Sequence, residues 1–145
     1  MTSALDLVLV VHTIFAALWT GSTIAVAGAI VPAAQRDLLD ADALSLVARR
    51  FTYLTLTSVV LLLATGGHLA GTLYTAESLQ STGRGHLVLA MVGLWFALAG
   101  ILHFATRRLT VDETETVESA AASARPWFLA ASGVSLALLV VAGLL

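Results

Sequence analysis

The residue types in this chain best suited to chemistry are its four histidines, His12, His68, His86 and His103, set in long apolar blocks with no cysteine anywhere. An ionisable side chain inside a bilayer-length apolar segment is costly unless it faces the bundle interior with a partner, so each one is a candidate functional group. Imidazole suits copper, iron and zinc, and a thioether such as Met91 adds a preference for Cu(I). A histidine pair on facing helices could instead ligate haem iron from both sides. The plain alternative for each histidine is an interior side chain hydrogen-bonded to Thr57, Thr65 or a carbonyl.

Spacing selects among the four. His12 lies seven residues after Leu5, where the first apolar block begins, and His68 lies six before Tyr74, where the second block ends. At ~1.5 Å of rise per residue, both sit roughly 10 Å below the same membrane surface. The third block starts from that surface, which places His86 at its mouth and Met91 near the depth of the pair. The expected metal site is therefore His12 and His68, with His86 as an entrance ligand and Met91 as a further donor. Met91 is five residues from His86 and off its face, so core packing competes with ligation there. Trp19, Gly21 and Thr65 are expected to line a pocket beside His12. His103 falls about 100° around the helix from the His86 stripe, near the opposite surface, and reads as a headgroup-level side chain.

The elements that must position these groups follow from composition. Of 145 residues, 59% are hydrophobic and 11% charged, with a mean hydropathy of +0.95. This is too apolar for a water-soluble domain of that size. Four blocks, approximately 5–31, 51–74, 85–106 and 126–145, each approach the ~20 residues of a spanning helix, and nothing else is long enough to fold separately. The expected fold is all-α, a single transmembrane domain forming an up-down-up-down four-helix bundle. Pro32 is expected to end the first helix and Pro126 to open the fourth. Pro32 to Arg50 reads as a polar connection with a short amphipathic turn at Leu44, Val47 and Ala48, and Thr110 with Glu113 reads as a capping box. The small residues Ala17, Gly21, Ala25 and Gly28 are expected to mark close helix packing, and His86, on one stripe with Ala90, Gly93, Ala97 and Gly100, is expected to point toward a partner helix.

Arg36, Arg49, Arg50, Arg107, Arg108 and Arg125 lie on the side of the two long connections, against Arg84 on the other. The positive-inside rule then puts the long connections in the cytoplasm and both termini outside the cell membrane. The first block lacks a basic leader region and is too long for a signal-peptide core, so it reads as a retained helix. There is no glycine-rich phosphate loop, no carboxylate pair within the spans and no serine with a base at bonding distance, so nothing here calls for an enzyme. A net charge of −2 and the membrane setting exclude nucleic acid. The ionisable residues within the spans form no chain across the bilayer, which argues against a proton pump.

His12 with Trp19 and Gly21 downstream, Arg49, Arg50 and Phe51 opening the second block, Thr65 and Gly66 late in it, and Gly85 and Leu87 opening the third resemble the CopD copper-resistance family. The same pattern is similar to the related HemJ family of membrane protoporphyrinogen oxidases, small four-helix proteins that carry haem b. The resemblance covers nearly the whole chain. Both families often place a lysine where Met91 stands, and that departure weighs against the oxidase. The resemblance implies a membrane protein that handles copper from the outer face, in uptake or homeostasis. Its alternative is a haem-b redox protein with His12 and His68 as axial ligands and a quinone or porphyrin as partner. A third reading is an accessory subunit whose histidines only pack. Candidate partners are then the lipid bilayer, the metal ion or haem, a quinone, an external copper-binding protein, and a second copy in a homo-oligomer.

Overall fold

The computed structural model describes residues 3–145, and among them every regular element is helical. The chain forms α1 (Ala4–Ala25), a π-helical turn (Val26–Ile30), α2 (Val31–Gln35), α3 (Ala41–Leu73), α4 (Ala76–Ser81), α5 (Gly83–Arg108) and α6 (Val117–Leu144). Among the described residues, four helical stretches are long and apolar enough to cross a membrane: Ala4–Gln35, Ala41–Leu73, Gly83–Arg108 and Val117–Leu144.

Local chemistry explains most of the ends. Ser3 and Asp6 form a reciprocal capping box at the start of α1, satisfying two otherwise orphaned N–H groups. Pro32 does not end the first span as the sequence suggests. The π-turn directly before it widens the helix, and that relieves the clash a proline ring makes with the carbonyl of the preceding turn. The helix ends instead at a corner where Leu38 N–H donates to Ala33 O at 3.0 Å and Asp37 N–H to Ala34 O at 3.3 Å. Asp37 takes the left-handed conformation this motif requires, with φ of 57°. Asp40 then caps α3 by accepting from Ala43 N–H at 2.7 Å.

The expected polar connection is therefore mostly helix. Leu44, Ala48 and Phe51 belong to the first turns of α3 and are buried in the core rather than lying at an interface. The fourth span likewise starts earlier than Pro126. Thr116, not Thr110, provides the cap, and Pro126 lies inside α6 on its exposed side. There the missing N–H leaves unpaired only the carbonyl of the exposed Ala122. The connection after α3 holds the short helix α4, and Gly85 is pressed so closely on the backbone of Ser78 and Leu79 that a side chain has no room.

Side-chain contacts fix the neighbours. α1 meets α3 through His12 with Thr65 and Trp19 with Thr55. α5 meets α6 through Arg108 with Ser123 at 3.0 Å and Phe104 with Trp127 at 5.4 Å between ring centroids. Phe51 of α3 meets Phe128 of α6 across the middle at 5.8 Å. The small-residue stripes do not serve these contacts. Ala17, Gly21, Ala25 and Gly28 are all exposed, as are Ala90, Gly93, Ala97 and Gly100. A side chain added at any of the five glycines Gly21, Gly28, Gly67, Gly93 or Gly100 would meet nothing within 4 Å. Within one chain, these stripes face outward.

Packing is uneven along the bundle. The buried core runs from Trp19 to Ala34, from Leu44 to Leu62, from Leu98 to Leu109 and from Ala120 to Leu138. In the other half, covering 3–18, 63–97 and 139–145, Gly85 is the one buried residue. His12, His68, His86 and Met91 all lie in that thinly packed half.

Candidate metal site at His12

His12 is held by α3. Its Nδ1 lies 2.8 Å from Thr65 Oγ1, and that hydroxyl donates to the Leu61 carbonyl at 2.6 Å. A hydroxyl has one proton to give, and a carbonyl can only accept it. Thr65 must therefore accept from His12, which places the imidazole proton on Nδ1 and leaves the Nε2 lone pair free. Gly66 completes the seat, since a Cβ there would lie 3.1 Å from His12 Cε1 and 3.7 Å from Nδ1. Any larger residue at 66 pushes on the ring. A histidine whose second nitrogen is fixed by a hydrogen bond has the arrangement typical of a metal ligand.

The other expected site residues are placed differently. His68, one turn beyond Thr65 on α3, is exposed, and among the described residues its ring has no hydrogen bond. His86 is also exposed, and its Nε2 donates to the Gln80 carbonyl at 2.8 Å, tying α5 to α4. Its Nδ1 is left as the free nitrogen. Met91 is half-buried against the core. Among the described residues, no group of three or more His, Asp or Glu side chains converges. The structure thus joins His12 to Thr65 and Gly66, and gives no such cluster around them.

Trp19 is 1% exposed and reaches across to donate its indole N–H to Thr55 Oγ1 at 3.3 Å. It is a core strut between α1 and α3, about two turns from His12. Gly21 faces outward and takes no part in the seat. Thr55 was not legible as its partner, although the repeat Thr52, Thr55, Ser58 along α3 is a signal of a polar helix face. His103 lies on a cavity of 170 Å³ between α3 and α5, with Thr52, Thr55, Val59, Ala99 and Thr106 among its walls.

These features can be set beside known proteins. Residues 45–145 match the family model for CopD, copper resistance protein D. The chain belongs to the CopD family. No curated protein and no solved structure matches it significantly. The match takes in Thr65, Gly66, His68, His86 and Met91, whereas His12, Trp19 and Gly21 lie on α1, before it begins. Membership makes this a multi-pass membrane protein of copper resistance, and the bilayer its surroundings.

Proposed function

We propose that this CopD-family protein binds copper through His12 Nε2 in the outer half of the bundle, as cargo in copper uptake or homeostasis. The observation that carries this reading is the Thr65 hydrogen bond, which holds the ring with its ligating nitrogen free. The donor set suits cargo better than a resident ion. One fixed imidazole, with His68, His86 through Nδ1, and Met91 as further donors, offers soft and borderline ligands in small number, as Cu(I) accepts. A low coordination number also lets the ion leave. The thin packing of this half gives the site access from its own side of the membrane.

The arrangement in the membrane is up-down-up-down, with both termini outside, because six of the seven arginines gather at the opposite end. Arg36 lies at the corner after α2, Arg107 and Arg108 close α5, and Arg49, Arg50 and Arg125 flank the same region. A cysteine placed within Thr110–Ser123 should react with an impermeant reagent only in opened cells, and one at Ser78 in intact cells. The reverse pattern would put His12 on the cytoplasmic side and remove the case for uptake from outside.

The test of binding is elemental analysis and the visible spectrum of the protein purified under conditions that retain both metal and haem. Copper in a colourless preparation, lost in His12→Ala, is the expected result. A strong Soret band would replace copper with haem b. Neither cofactor would leave an accessory subunit. If His68 shares the ion, His68→Ala should lose most of it too, with the double variant adding little.

A further inference from the structure

Among the described residues, four side-chain polar atoms are buried without a partner: Ser58 Oγ, Ser132 Oγ, Ser135 Oγ and Trp95 Nε1. Ser58 and Ser135 have no exposed surface. Buried polar groups are nearly always paired, and the hydrocarbon around a spanning helix supplies no partner.

The helix register brings these atoms to one level. α3 ends at Leu73 and α5 begins at Gly83, while their shared cavity is walled by 52–59 of one and 99–106 of the other. The two helices therefore run in opposite directions. α5 and α6 do so as well, since Phe104 meets Trp127 and Arg108 meets Ser123. It follows that α3 and α6 run parallel. From the Phe51 and Phe128 contact, Ser58 and Ser135 each lie seven residues further on. Seven residues make about two turns and return to nearly the same face. The two hydroxyls thus follow the two rings along the interior of the bundle. From Phe104 and Trp127, Trp95 is nine residues back and Ser135 eight residues on, so these share a depth, with Ser132 about one turn away.

We propose that this layer is a binding site for ordered water in the middle of the bundle, reached from the α3–α5 cavity. Water is the ligand whose chemistry fits, because it both gives and takes hydrogen bonds and can bridge hydroxyls to an indole N–H. The cavity reaches the depth of Ser58 along α3. Val59 on its wall follows Ser58 in sequence, and Thr55 lies one turn away. Thr52 and Thr106 give their protons to the carbonyls of Ala48 and Leu102, so they meet entering water as acceptors. A volume of 170 Å³ has room for more than one molecule. The layer lies between the level of His12 and the cavity, where it would solvate a proton or a cation part-way through the bilayer. It does not depend on copper binding.

The test uses the full-length protein, labelled with ¹⁵N-tryptophan, in phosphatidylcholine nanodiscs. After transfer to D2O, the Trp95 indole N–H should exchange, and exchange should slow at least tenfold in the Ser58→Ala/Ser135→Ala double variant. Retention of the Trp95 proton for as long as amides in the middle of α3 overturns the proposal. So does exchange that is unchanged in the double variant. Magnetisation transfer from water to the Ser58 and Ser135 Cβ hydrogens in the unmodified protein gives a readout without substitution. Its absence would mean that the hydroxyls turn back on their own helices, and would also overturn the proposal.

Discussion

Gly66→Ala tests the seat of His12 against a built-in comparison, the neighbouring Gly67. Alanine in a helix interior is favoured over glycine by about 0.5–1 kcal/mol, and both positions lie inside α3. At Gly67 the new methyl meets nothing within 4 Å, so the whole gain should appear. At Gly66 the methyl would sit 3.1 Å from His12 Cε1, and the ring must retreat by a few tenths of an ångström. That retreat stretches a hydrogen bond now at 2.8 Å. A typical hydrogen bond contributes about 0.5–1.5 kcal/mol, so the loss offsets the gain. We expect Gly67→Ala to raise thermal stability in detergent and Gly66→Ala to leave it unchanged or lower it, a difference of about 1 kcal/mol between adjacent positions. Copper affinity, measured by competition with a Cu(I) chelator, should fall only in Gly66→Ala. Equal stability shifts and equal affinities in the two variants would refute the seat.

Other outcomes follow from single contacts. Thr65→Val keeps the shape but removes the acceptor for His12 Nδ1–H; it should cost about 1–3 kcal/mol in stability and lower copper affinity about 10–100-fold, the usual effect of losing a ligand's supporting partner. Trp19→Phe keeps most of the packing but loses the bond to Thr55, and chemical denaturation should register about 1 kcal/mol. Asp37→Gly relieves the left-handed backbone at the α2–α3 corner and should stabilise by about 1 kcal/mol, read as a higher melting temperature. His86→Ala unties α5 from Gln80 and should speed amide exchange in α4.

The apolar blocks made the four spans legible, because length and hydropathy alone decide whether a helix can cross a bilayer. Their ends were not legible where polar residues continued a helix. Arg49 and Arg50 look like a loop in sequence, yet they are exposed residues on α3, whose other face buries Leu44, Ala48 and Phe51. Pro32 and Pro126 misled for a related reason. A proline is excluded only where the displaced carbonyl has no relief, and here a π-turn and an exposed helix side supply it. Small-residue stripes were read as packing faces because glycine permits close approach, but permission is not contact. Among the described residues, only Gly66 and Gly85 have neighbours that need the missing side chain. At the site, Thr65 was legible as a histidine partner because a hydroxyl near the depth of His12 is the cheapest way to satisfy a buried ring. The exposure of His68 was not, since depth carries no information about which side of the helix a residue occupies.

The site is divided between two parts of the chain with different support. Thr65 and Gly66 lie within the stretch that matches the CopD model, and His12 lies on the helix before it. The seat has a physical reason to exist only if a ring fills it. Thr65 already satisfies its own proton through Leu61, and in a bilayer its remaining lone pairs would otherwise face hydrocarbon. Gly66 would otherwise forgo the propensity that alanine supplies. Thr65 and Gly66 are both explained by an imidazole arriving from α1. The imidazole, in turn, needs only one of its nitrogens for that contact. The fold therefore holds the ring at one nitrogen and leaves the other uncommitted, in the half of the bundle where the helices are least closely covered. A histidine meant only to fill the core would sit where the core is, beside Trp19 and Phe128.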